Sequence, residues 1–155
     1  MAGQHRRFEL SLTGWKNLDM SAVSGICSRT NCRSNSPREI FDLSKQFPEE
    51  EKYSLTSQIR RSSRSIGAQL AEAWAKRRYE RHFVSKLTDA DGEQMETQHW
   101  VGVASSCGYI DNETTRKLLN ELERIGQLVQ GMVDSAESFC STSRVKEEPV
   151  DHDES

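Results

Sequence analysis

The chain has 155 residues, of which 29% are charged and only 34% apolar, with a net charge of -3. That length suits one domain, and the low apolar share implies a folded core smaller than the chain, with polar ends. No apolar stretch approaches the roughly 20 residues that cross a bilayer, and none follows the basic N-terminus as a secretory leader would, so a soluble, cytoplasmic protein is expected. Four cysteines, Cys27, Cys32, Cys107 and Cys140, stand at unrelated spacings with no Cys-x-x-Cys pair. Neither a disulfide framework nor a tetrahedral zinc site is indicated.

Residues 1–35 are rich in Ser, Thr, Asn, Gly and Arg, without a sustained apolar period. They are expected to be a disordered or divergent segment, with at most a helical turn near Asp19–Val23. Order starts at Ser36-Pro37-Arg38-Glu39, where Ser36 caps, Pro37 takes the first helical position and Glu39 closes a capping box. The first helix is predicted from Pro37 to Gln46, with Ile40, Phe41, Leu43 and Phe47 as its buried stripe. Pro48 ends it by pushing Phe47 out of the helical region.

Glu49, Glu50 and Glu51 then put negative charge where the dipole of a second helix favours it. That helix is predicted over 52–77, with Leu55, Ile59, Ser62, Ile66, Leu70, Ala73 and Trp74 on one face. Ser63, Gly67, Ala68 and Ala71 add small residues that would let a neighbouring helix approach closely. A third helix, 79–107, carries a heptad seam of Phe83, Leu87, Ala90, Gln94, Thr97, Val101 and Ala104. The polar Gln94 and Thr97 in it require partners and commonly fix register or oligomer state. Gly108 stops this helix as a left-handed cap, Tyr109 and Ile110 pack the turn, and Asp111 caps the next. The fourth helix, 112–139, buries Leu118, Leu119, Leu122, Ile125, Leu128, Val129, Met132 and Val133. Residues 141–155 hold five acids against Arg144 and Lys146, and read as a disordered acidic tail. Short connections force antiparallel neighbours. The expected fold is therefore all-α: an antiparallel up-and-down four-helix bundle over 36–140 with a shortened first helix.

The segments FPEEEKYSLTSQIRRSSRSIGAQLAEAWAKR (47–77), HFVSKL (82–87), METQHW (95–100) and CGYI (107–110) resemble the 23S rRNA intervening-sequence, or S23, family of bacterial four-helix bundle proteins over about 37–138. The resemblance implies an antiparallel four-helix protomer assembled as a ring, typically a homopentamer, with a basic surface. It also implies nucleic-acid-binding accessory roles and no enzymatic activity. The chain departs from the family's pattern at its start, where residues 1–35 do not resemble the usual long first helix.

Chemistry concentrates on the basic residues. Between Arg60 and Lys86 stand eight Lys or Arg (Arg60, Arg61, Arg64, Lys76, Arg77, Arg78, Arg81, Lys86) against Glu72 and Glu80. Guanidinium groups bind phosphates through paired donors, so Lys76, Arg77, Arg78 and Arg81, crowded at the corner of the second and third helices, are the chief nucleic-acid-binding candidates. Arg60, Arg61 and Arg64 are candidates too, although Arg60 and Arg61 are equally suited to pair with Glu93, Glu96 and Gln98 across the bundle. Glu96-x-x-His99 has the form of half a di-iron motif, but no second copy exists, so no metal or cofactor is expected. Trp74, Tyr79 and Trp100 fit core or interface positions better than base stacking. No nucleophile motif or phosphate-binding glycine loop is present, so catalysis is not expected.

Two functions follow. One is a non-enzymatic homo-oligomer that binds RNA or DNA through phosphate contacts without strong sequence choice. The other is a structural or interaction module whose basic face docks an acidic partner or its own tail.

Overall fold

The structure, a computed structural model, describes residues 36–140, and the expectations for the N-terminal segment and the acidic tail fall outside those residues. The described chain is all-helical: α1 (Ser36–Leu43), two 3-10 turns (Ser44–Gln46, Glu49–Glu51), α2 (Leu55–Lys76), α3 (Glu80–Ser106), α4 (Asn112–Asp134) and α5 (Ala136–Cys140).

The direction of each helix can be read from its side-chain bonds. Between α2 and α3, Arg61 pairs with Glu96, the Thr97 and Ser62 hydroxyls bond each other, and Lys86 donates to Gln69, so one numbering falls as the other rises. The same reversal relates α1 to α2, where Arg60 donates to Ser44 and stacks over Phe41 while Arg64 lies over the same ring. It also relates α1 to α4, through Lys117–Glu39 and Ser36–Glu121. The helices thus alternate up and down, and α1 closes the circuit by touching both α2 and α4. Ser36 and Glu39, expected as a capping box, make contacts with α4.

α3 is the element on which α2, α4 and α5 pack. All seven residues of its heptad seam, Phe83 to Ala104, are its buried residues. Fully burying a side chain such as Phe83 or Leu87 contributes roughly 1.5–3 kcal/mol. Gln94 and Thr97, only 2% and 0% exposed, find their partners inside the chain. Gln94 Nε2 donates to the Leu122 carbonyl of α4 at 2.8 Å, and Thr97 Oγ1 reaches both Ser62 Oγ at 3.0 Å and the Glu93 carbonyl at 2.7 Å. Gly126 on α4 makes room for this: a Cβ there would stand 3.3 Å from Gln94 Oε1.

The turns follow local chemistry. Gly108 has φ +75°, and the 6→1 and 5→2 bonds from Tyr109 to Ala104 and from Gly108 to Ser105 close a Schellman cap. Tyr109 packs on Phe47 with ring centres 5.5 Å apart and donates to Glu51 at 3.3 Å. Asp111 Oδ1 accepts from the Thr114 N–H at 2.7 Å, the expected N-cap. Glu51 accepts from the Ser54 hydroxyl and from the Leu55 N–H at 3.4 Å, so the acidic turn caps α2, which starts at Leu55 rather than Lys52.

Two expectations are corrected. The fourth helix is broken at Ser135 (φ -107°, ψ 18°), and the last turn, α5, folds separately. Beyond the break, Phe139 packs on the rings of Trp74 and Phe83. Gly67, Ala68 and Ala71 are exposed, and no atom lies within 4 Å of a Cβ at Gly67. The reason is the length of α1: its eight residues span about 12 Å against about 33 Å for the 22 of α2, so it covers only the first half of that helix.

Replacing Gln94 by Ala leaves a void and removes a buried bond; a loss of about 2–4 kcal/mol in urea-unfolding free energy is expected. The Thr114 N–H bond holds the Asp111 carboxyl below its ordinary 3.8, so its stabilisation is present above that value and fades as pH falls below it. Asp111→Asn should therefore show a shallower acid-side fall in melting temperature than the unchanged chain.

Candidate nucleic-acid interface

The seven basic candidates divide into two groups along α2. Twelve residues, from Arg64 to Lys76, separate their nearest members by about 18 Å of helix. The first group is engaged in the fold. Arg60 Nε donates to Ser44 Oγ at 2.6 Å and its guanidinium lies 4.8 Å from the Phe41 ring centre. Arg61 Nη2 binds Glu96 Oε1 at 2.8 Å, the same oxygen that accepts the Trp100 indole N–H at 3.1 Å. Arg64 is 5.4 Å from Phe41. For Arg61 the expected pairing with Glu96 is what the fold displays, whereas Arg60 turns to Ser44 and Phe41 instead of the third helix. His99 stacks edge-on against Trp100 at 4.8 Å, so Glu96 and His99 both serve helix contacts, and no group of three metal-ligating side chains occurs among the described residues.

The second group surrounds the tight turn from α2 to α3. Lys76 is 3.8 Å from Glu72, a loose exposed pair worth little. Glu72 is instead taken by Lys86 at 3.0 Å, which also meets Asp89 at 3.1 Å. The Lys86 hydrogen bond holds Glu72 below the usual carboxylate range, and the Glu72 bond raises Lys86 above its usual value. Arg77 lies flat on Trp74, 4.3 Å from its ring centre, with Nη1 on the Trp74 carbonyl at 2.8 Å. Its outer edge remains available. Arg78 and Arg81 are exposed and make no ion pair among the described residues.

Tyr79, expected at a core or interface position, is not in the core of the chain. It is 61% exposed, in extended conformation (φ -121°, ψ 108°) as the N-cap of α3, with its ring 5.6 Å from His82. The signal was there: Tyr79 precedes the first seam residue, Phe83, by a full turn and has no helix above it to pack on. Trp74 and Trp100, by contrast, are half-buried, as core residues should be. The corner thus offers four cations around an exposed aromatic ring, a combination suited to phosphates with a base stacked beside them.

The floor of the corner is aromatic. Phe139 of α5 lies 6.5 Å from Trp74 and 5.9 Å from Phe83, so the break at Ser135 brings the last described turn beneath Arg77. Burial pushes the adjacent Cys140 thiol up; the nearby Glu80 adds to this and Arg77 opposes it.

The family pattern described as 23S rRNA-intervening sequence protein matches residues 35–131. The chain belongs to that family. Among solved structures, a crystal structure at 1.70 Å of a protein of unknown function from the S23 ribosomal protein family of Bacteroides thetaiotaomicron VPI-5482 is similar, with 29% identity and a TM-score of 0.58. The alignment covers 63% of this chain and 88% of that one. A comparison with curated proteins finds no match. No described helix of this S23-family chain is long and apolar enough to cross a membrane.

Phe139→Ala removes the ring that seats α5 on the corner. A loss of about 1–3 kcal/mol in unfolding free energy and a red shift of tryptophan emission, from newly wetted Trp74, are expected.

Proposed function

We propose that the protein is a non-enzymatic, homo-oligomeric accessory that binds RNA or DNA through the corner formed by Lys76, Arg77, Arg78 and Arg81. The observation that carries this reading is the pair of exposed guanidiniums, Arg78 and Arg81, flanking the exposed Tyr79, in a chain that is acidic overall. A local concentration of cations on a net-negative protein directs polyanions to one place instead of coating the whole surface. Arginine contributes paired donors to a phosphate, and tyrosine a sequence-tolerant stacking face, so binding should discriminate little among sequences. Arg60 and Arg61 are secondary, because Ser44 and Glu96 take donors from them, and Arg64 stands apart from the corner with its guanidinium over Phe41.

Self-association, which the family resemblance implies as a pentameric ring, would repeat the corner and raise affinity through avidity. The exposed Met95 and the short-side-chain stripe of Gly67, Ala68 and Ala71 are surfaces that a second copy could cover. A cytoplasmic setting accords with this role.

Fluorescence anisotropy with a labelled single strand and a labelled duplex tests the proposal. Binding should weaken steeply as salt rises, and Arg78→Glu with Arg81→Glu should lower the salt slope by about one unit for each phosphate that is no longer neutralised, with little dependence on sequence. No binding at about 50 mM salt, where such interactions are strongest, removes the reading. Light scattering checks the assembly: a monomer's mass at micromolar concentration contradicts the homo-oligomer.

A further inference from the structure

The two ends of the charge pattern meet at one place in the fold. The described chain ends at Cys140, one residue after Phe139, whose ring lies against Trp74 and Phe83 beneath Arg77. The fifteen residues that continue from there carry Glu147, Glu148, Asp151, Asp153 and Glu154 against Arg144 and Lys146, and all five acids fall in the last nine positions. The corner they leave from holds four cations, of which Arg78 and Arg81 have no carboxylate partner among the described residues.

We infer that residues 147–154 dock on the Lys76–Arg81 corner of the same chain and compete there with nucleic acid. This rests on the reading of the corner as the polyanion site. Three observations select this occupant over a separate acidic protein.

The first is reach. Cys140 has Arg77 and Glu80 as neighbours, and a chain of 7 to 14 residues, if unstructured, has a root-mean-square span of about 15–20 Å, enough to bring its acids to the turn. The second is effective concentration. A tether of this length keeps the acids at the corner on the order of millimolar, well above what a free acidic partner of ordinary abundance supplies. The third is charge order. Arg144 and Lys146 come first after Cys140, which has Glu80 as a neighbour, and the five acids come later in the chain, so the order of charge in the sequence suits the corner.

The α5 break has a role in this arrangement. The turn at Ser135 and the seat of Phe139 on the α2/α3 aromatics set Cys140, from which the tail continues, beside Arg77 and Glu80. Docking by several exposed, screened ion pairs is individually weak, so a phosphate backbone that offers more charges in a row can displace the tail, whereas isolated anions cannot.

The test uses the full chain in two forms, unchanged and with Glu147→Gln, Glu148→Gln, Asp151→Asn, Asp153→Asn and Glu154→Gln. Backbone amide NMR spectra at about 50 mM salt should differ at residues 76–82, and the difference should vanish at about 500 mM, where charges are screened beyond about 4 Å. Adding a peptide of residues 141–155 to the neutralised chain should restore the original corner signals, and Arg78→Glu with Arg81→Glu should abolish that restoration. In parallel, the neutralised chain should bind a labelled duplex about 10-fold more tightly at low salt, with the gap closing as salt rises.

Identical corner amides in the two chains overturn the inference, even if duplex affinity rises, because a rise alone reflects net charge. Corner amides that move in a protein that binds no nucleic acid in either form uphold the docking and overturn the nucleic-acid reading instead. Duplex binding of equal strength in both forms, with still amides, leaves the nucleic-acid reading standing and removes the tail's role.

Discussion

The structure depends on a polar contact in an apolar place: Gln94 and Thr97, at the centre of α3, each bonded to a different neighbouring helix. Gln94 holds the Leu122 carbonyl of α4, and Thr97 holds Ser62 of α2. Apolar seams of Leu, Ile and Ala tolerate sliding by a heptad or rotation by a fraction of a turn, since hydrophobic burial has no direction. A buried amide or hydroxyl does not, because every wrong register leaves it unsatisfied at a cost of about 1–3 kcal/mol. Two such groups, one facing each neighbour, fix how α2 and α4 sit on α3. The Gly126 gap opposite Gln94 shows that the neighbouring helix is shaped to the same contact.

That register has consequences at the far end of the bundle. With Ser62 opposite Thr97 and Gln69 opposite Lys86, α2 and α3 must reverse within the few residues between Lys76 and Glu80. A turn so short has no room to bury long side chains. Arg78, Tyr79 and Arg81 therefore face water, and Arg77 escapes only by lying on Trp74. The concentration of positive charge at the corner is a product of packing as much as of composition: the same residues spread along a helix face would have found carboxylates, as Arg61 and Lys86 did.

Much of this was legible in the chain. The seven-residue seam of α3, the Gly108 stop, the Asp111 cap and the acidic start of α2 all follow from spacing and from the few residues that satisfy a helix end. The site was legible only as a density of Lys and Arg. The sequence left Arg61 with two roles, phosphate binding or a pair with Glu96, and the fold decides between them by standing Glu96 across the groove. Periodicity also placed Tyr79 within a helix, and its exposure reflects the turn instead.

The break at Ser135 and the bare stripe at Gly67, Ala68 and Ala71 mark the same limit. Residues 112–139 read as one helix because their own period is unbroken; what stops it is the gain from seating Phe139 on Trp74 and Phe83, two residues more than fifty positions away. The small residues of α2 read as a helix contact, and whether one is made depends on how far α1 extends. By itself the sequence determined the helices, their caps and the identity of the buried seam, because these are set within a few turns of chain by hydrogen-bond satisfaction and periodic burial. Tertiary structure alone decided which arginines are engaged, where the aromatic rings gather and where the chain emerges, because those depend on contacts between residues far apart in sequence, which local spacing does not encode.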